Sequence, residues 1–95
     1  MKKIKKIRGI VHGFVQGVGF RFFVFQQGKT LNLRGWVRNR LDGTVEILAQ
    51  GIEDDLSLLI EAVKRGPPGS LVSDVDTTWI EPSESLPSFT ILETK

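Results

Sequence analysis

From Glu53 to Arg65 the apolar residues Leu56, Leu59, Ile60 and Val63 recur at i, i+3, i+4 and i+7. That spacing lines one buried face of an α-helix. Glu53, Asp54 and Asp55 place negative charge in its first turn, and Lys64 and Arg65 place positive charge in its last, each suiting the helix dipole. Gly66-Pro67-Pro68 then stops it. Residues 4–13 read as a strand, with Ile10 and His12 on one face and Val11 on the other. Gly9 within it is expected to mark a bulge. Residues 34–39 and 44–50 read as two strands joined through Leu41-Asp42-Gly43, since Asp-Gly between β-prone runs is a strong hairpin signal. Two further strands are expected near 71–80 and 88–93, separated by Pro82 to Pro87.

The stretch from Phe20 to about Leu31 suits either state by propensity, because Phe20, Phe22, Phe23, Val24 and Phe25 all tolerate a strand. The glycine-punctuated loop before it resembles a strand-to-helix turn, and Gln26, Gln27, Lys29 and Leu31 extend it, so a helix is expected. Its phenylalanines are expected to face the core. Gly28 costs such a helix about 1 kcal/mol relative to alanine, and Asn32 suits a left-handed helix end. The order is therefore β-α-β-β-α-β. This is the α+β, ferredoxin-like split βαβ arrangement, an antiparallel sheet with both helices on one face. So many functions share that arrangement that it decides no chemistry.

With 95 residues, the chain is expected to form a single domain, 1–95. Its 40% hydrophobic and 25% charged content excludes a disordered segment. No run nears the ~20 apolar residues of a membrane span. The absence of cysteine excludes disulfides, thiolate zinc sites and cysteine nucleophiles, and is compatible with the cytosol. Net charge is only +2, but Lys2, Lys3, Lys5, Lys6 and Arg8 gather at the start. Ile4, Ile7 and Ile10 interrupt them without forming the apolar run of a signal peptide, so export is not expected. A lysine-guarded edge strand is expected here, with attraction of an anionic substrate or nucleic acid as the alternative.

The informative stretch is Gly13-Phe14-Val15-Gln16-Gly17-Val18-Gly19-Phe20-Arg21. Its glycines let the main chain approach a ligand closely. Amides converging at a helix start near Phe20 would form an anion site, and the Arg21 fork suits phosphate oxygens. A plain strand–helix connection with a surface arginine fits the spacing equally well. Gly28-Lys29-Thr30 ends like a nucleotide phosphate loop, but that pattern needs a glycine where Phe23 stands. The aromatic run also resembles the stacking strand of an RNA recognition motif, yet it follows the first strand rather than forming the third. Lone His12 is expected to be structural, and Asp74 and Asp76 to form a solvated face rather than a magnesium site. Trp36 and Trp79 are expected in the core. Of Arg38 and Arg40, which flank Asn39, at most one is expected near a site; Arg38 is expected as surface charge.

The stretch 13–21 resembles the first signature of the acylphosphatase family. A second signature follows as Gly35-Trp36-Val37-Arg38-Asn39, then Asp42-Gly43-Thr44-Val45 and Gly51. The resemblance covers about residues 7–93. It implies a ferredoxin-like fold and hydrolysis of acyl phosphates to carboxylate and inorganic phosphate, with no metal or other cofactor. Carried over by position, Arg21 would bind phosphate with the loop of Val15, Gln16, Gly17, Val18, Gly19 and Phe20, and Asn39 would orient the attacking water. The implied partners are a small acyl phosphate and inorganic phosphate as product or inhibitor, with no nucleic acid or membrane, in a cytoplasmic monomer. Two departures stand out: Gly28 interrupts the first helix, and Asn32 replaces the glycine of the family's usual Leu-Gly-Leu. The alternatives are a non-catalytic module binding phosphate or carbamoyl phosphate, and an RNA-binding domain with phenylalanines exposed on its sheet.

Overall fold

The computed structural model describes residues 3–83 and 85–95. Strand β1 (Ile4–Phe14) leads into helix α1 (Phe20–Thr30), then β2 (Arg34–Asn39) and β3 (Val45–Ile52). Helix α2 (Glu53–Arg65), β4 (Leu71–Ile80) and β5 (Thr90–Ile91) complete the ferredoxin-like order. The sheet runs β4-β1-β3-β2-β5. Its first four strands are antiparallel, while two-residue β5 lies parallel to β2 with Trp36 opposite Thr90. The sheet is therefore mixed rather than purely antiparallel, and the last strand is shorter than its apolar pattern implies.

One face of the sheet carries Ile7, Val11, Val37, Val45, Ile47 and Ala49, and these join Phe20 and Val24 of α1 and Leu56, Leu59 and Val63 of α2 in one buried core. Gly28 belongs to that core. A Cβ there would sit 2.5 Å from Cγ of the buried Phe89 ring, so the glycine that weakens the helix is what lets the C-terminal segment pack against it. Asn32 takes φ 56°, the left-handed conformation expected of it at the end of α1.

Several expectations are corrected. β1 lies inside the sheet between β4 and β3, so its basic residues do not guard an edge. Lys5 pairs instead with Glu53 (3.8 Å), Lys6 donates to Ser83 (3.4 Å) and Arg8 to Glu46 (2.7 Å); Lys2 lies outside the described residues. Gly9 stays in register with both neighbours, and the irregularity falls between His12 and Gly13. Trp79 is 50% exposed near the end of edge strand β4. Trp36 is half-buried on the open face, where the Arg38 guanidinium lies 4.7 Å from its ring centre. Arg38 is likewise no plain surface charge, because it joins Arg8 around the buried Glu46 carboxylate. No helix among the described residues is long and apolar enough to cross a membrane.

Candidate active site

Two backbone devices shape the loop between β1 and α1. Gly17 and Gly19 have φ 75° and 76°, and Gly19 is the N-terminal cap of α1 without any side-chain cap. Neither faces a crowded neighbour, since a Cβ at either position would meet nothing within 4 Å. The backbone conformation, not space within the chain, calls for glycine there. Val15 and Phe20 are buried at the two ends of the loop, and Val18 packs against the core between them. Apolar anchoring thus holds down a segment whose main-chain amides from Val15 to Gly19 donate to no other described group.

The loop opens onto a cavity of about 270 Å³ lined by Val15, Gly17, Gly19, Phe20, Arg21, Phe22, Asn39 and Ile91. Gly17 and Gly19 can contribute only backbone. Arg21, on the first turn of α1, makes no ion pair or side-chain hydrogen bond with another described residue. Asn39, the last residue of β2, is 8% exposed, and its buried Oδ1 meets no hydrogen-bond donor among the described residues. An unsatisfied buried acceptor costs about 1–3 kcal/mol. Asn39 is also fixed from behind, because its carbonyl accepts from the Lys95 amide at 3.1 Å.

Arg21 and Asn39, far apart in sequence, therefore line one cavity, and four of the six expected loop residues line it with them. Gln16 and Val18 do not. Val18 turns to the core, and Gln16 Nε2 donates to the carbonyls of Arg40 (2.8 Å) and Thr44 (2.9 Å), tying the loop to the β2–β3 turn. That turn is organised by Asp42, whose Oδ1 accepts from the Thr44 hydroxyl (2.6 Å) and amide (3.0 Å). These bonds hold the Asp42 carboxyl below its usual pKa of 3.8. His12 does not reach the cavity: on the open sheet face its Nε2 lies 3.1 Å from Asp76. Among the described residues no cluster of His, Cys, Asp and Glu could hold a metal ion.

Phe22 and Ile91 also line the cavity, and sequence reading missed both. Phe22 was expected in the core with its neighbours, yet it is 56% exposed on the first turn of α1. Its position within that turn, next to Arg21, was the available signal. Because the aromatic run is a helix, no phenylalanine of 20–25 lies on the sheet as the RNA-binding alternative requires.

Residues 7–91 match the acylphosphatase family. The chain belongs to that family. It is 49% identical over 85 residues to an acylphosphatase of Bacillus subtilis, covering 90% of this chain and 93% of the relative. The acylphosphatase relative from Caldivirga maquilingensis is 46% identical over 86 residues, covering 90% and 87%. The crystal structure of the Bacillus subtilis acylphosphatase superposes with a TM-score of 0.89 at 47% identity, covering 95% of this chain and 99% of that one. The protein is an acylphosphatase, the acyl phosphate hydrolase that the two signatures imply.

Proposed function

We propose that this acylphosphatase cleaves the carboxyl–phosphate bond by in-line attack of water, with phosphate held by Arg21 and the amides of residues 15–20. Asn39 orients the water. The observation that carries this reading is the shared cavity, in which the Arg21 side chain, glycine backbone and a buried, unpartnered Asn39 Oδ1 come together.

The chemistry asks little else of the protein. The leaving carboxylate has a conjugate-acid pKa of roughly 4–5, judged from side-chain carboxyls, so it departs with its electron pair unprotonated. What remains is to hold a polyanion, stabilise charge on its equatorial oxygens and place water in line. Preorganised amides and Arg21 supply the electrostatics, and removing one such donor typically costs ~10²–10³ in rate. Asn39 Oδ1 accepts a hydrogen bond from water, which offsets its own burial and aims the oxygen lone pair at phosphorus. The O–P bond to water forms as the acyl O–P bond breaks. The water proton passes to a phosphoryl oxygen, since among the described residues no carboxylate or imidazole lines the cavity.

We read the working unit as a monomer. We place it in the cytoplasm, acting on a small acyl phosphate rather than nucleic acid and inhibited by inorganic phosphate. The test is hydrolysis of benzoyl phosphate in excess chelator by the parent, Arg21→Ala and Asn39→Ala, with folding checked by circular dichroism. Rapid chelator-insensitive turnover, lost in both folded variants, supports the reading. A parent that binds phosphate through Arg21 without turnover overturns it in favour of a binding module.

A further inference from the structure

Strands β1 and β4 separate at one end of the sheet. Their pairing stops at Lys6 opposite Ile80, where the chain turns away through Glu81 and Pro82. Ser83 is then fastened to β3: its amide donates to Gln50 Oε1 at 2.8 Å and its carbonyl accepts from Gln50 Nε2. β1 continues past the parting with β3 on one side, where Ile4 opposes Ile52 and Lys5 opposes Gly51, and with no described strand on the other. The gap is a notch of about 530 Å³ lined, among the described residues, by residues 3–5 and 79–82. That volume falls within the ~300–1,000 Å³ of small-molecule sites. β1 runs eleven residues from this notch to the loop of the active site, a distance of roughly 30 Å at the rise of a strand.

Trp79 pairs with Ile7, a core residue, so strand alternation puts Trp79 and Lys5 on the helix side of the sheet and Ile4 and Ile80 on the open side. Trp36 has Arg38 over its ring, whereas Trp79 has no cation over its ring among the described residues and remains half exposed. Lone exposed apolar residues are ordinary, but an indole and two isoleucines gathered at one notch mark an interaction site. Lys3 and Lys5 bring two positive charges there against the one negative charge of Glu81. Lys5 also lies 3.8 Å from Glu53, but both side chains are exposed and the pair is too solvated to neutralise it. We propose that the notch is a second binding site, separate from the Arg21–Asn39 cavity, for a small aromatic carboxylate whose ring lies on Trp79 and whose charge lies between Lys3 and Lys5. The surplus of one positive charge suits a monoanion, and Glu81 opposes a more highly charged ligand. A bilayer fits less well, because Trp79 and the isoleucines point to opposite faces of the sheet and present no common apolar plane.

The experiment titrates 2-naphthoate into the parent, Trp79→Ala, the double variant Lys3→Ala/Lys5→Ala and Arg21→Ala by calorimetry, with circular dichroism as the check on folding. Uncharged 2-naphthamide serves as the comparison ligand. Trp79→Ala should weaken 2-naphthoate about three- to tenfold, the scale of one lost aromatic contact. The double lysine variant should weaken it about two- to fivefold and remove most of its salt dependence. Binding in Arg21→Ala should match the parent. 2-Naphthamide should bind more weakly and ignore the lysine changes. The lysine variant alters only exposed side chains, so it decides the matter even where Trp79→Ala fails to fold. No binding by the parent, or an affinity unchanged by the lysine variant, overturns the site. Binding lost in Arg21→Ala overturns it by placing the ligand in the catalytic cavity. Cosedimentation with phosphatidylglycerol vesicles through Trp79 and the lysines, without 2-naphthoate binding, overturns it in favour of a lipid surface.

Discussion

Gln16 reaches across from the β1–α1 loop and donates its amide hydrogens to the main-chain carbonyl of Thr44 at 2.9 Å and to that of Arg40 at 2.8 Å. The loop that lines the cavity with its glycines is thereby locked to the turn that follows Asn39. Each carbonyl keeps a second donor when Gln16 is removed, Arg40 N for Thr44 and Gly43 N for Arg40, so neither is orphaned. Gln16→Leu should therefore cost only about 1–2 kcal/mol of stability, the net worth of two hydrogen bonds. Its effect on rate should be larger, since a displacement near 1 Å between catalytic groups can cost on the order of 10². Urea unfolding and kcat measured on the same variant separate the two. A rate loss no larger than the stability loss implies would show that the tie is merely structural.

Glu46 holds the open face of the sheet together. Its buried carboxylate accepts from Arg8 Nε and Arg38 Nε, both at 2.7 Å. Burial pushes its pKa up, but the two arginines outweigh that and hold it below the ordinary 4.5. A depressed folded pKa means that the unfolded chain binds the proton more readily, so this stabilisation is complete above about pH 4.5 and fades as pH falls through the folded value. Asp42 acts with the same sign. The melting temperature should be flat with respect to these groups from pH 7 to 5 and decline below. Glu46→Gln should lower stability by about 1.5–3 kcal/mol near neutrality and flatten the acid limb. An acid limb unchanged in Glu46→Gln would assign it to other carboxylates.

Gly28→Ala offers a test in which two effects have opposite sign. Helix propensity alone would raise stability by about 1 kcal/mol. The added Cβ, however, would meet three atoms of the Phe89 ring at 2.5–2.8 Å. Overpacking of this kind costs typically 1–3 kcal/mol. The ring is buried and closes the core, so a net destabilisation is expected by thermal melting. A stabilised variant would mean that the C-terminal segment gives way easily.

These cases show which features were legible in the sequence. Helix α2 lies where the 3.6-residue period of Leu56, Leu59 and Val63 and the Gly66-Pro67 stop put it, because those signals are local. The loop residues Gly17, Gly19 and Arg21 and the strand-end Asn39 were legible through the two signatures. The position of β1 was not, since lysines near a strand's start say nothing of which strands flank it. That order depends on pairings with residues 45–52 and 71–80. Trp36 and Phe22 were misplaced for a related reason. Hydrophobicity argues for burial, but Trp36 finds its cover under Arg38, and Phe22 finds partial cover on Phe25 at the rim of a cavity. The staple made by Gln16 left no periodic trace at all.

Gly19 separates two reasons for a glycine in the loop that lines the cavity. Its φ of 76° strains any residue with a Cβ by roughly 1–2 kcal/mol, and asparagine bears this conformation better than alanine. Apart from its chain neighbours, a Cβ at Gly19 meets no atom of the described residues within 4 Å, so packing adds nothing to the strain. In a site whose phosphate lies against the loop amides, that same Cβ would instead meet the substrate. If backbone conformation is the whole reason, Gly19→Asn should be more stable than Gly19→Ala in urea, and kcat/KM should follow the same order. If close approach of phosphate dominates, both variants should lose turnover and inhibition by inorganic phosphate to similar extents, whatever their stabilities. We expect the second pattern superimposed on the first: a small stability gap favouring asparagine, with phosphate inhibition weakened about equally in both. Inhibition left at the parental level in either variant would place the phosphate away from Gly19.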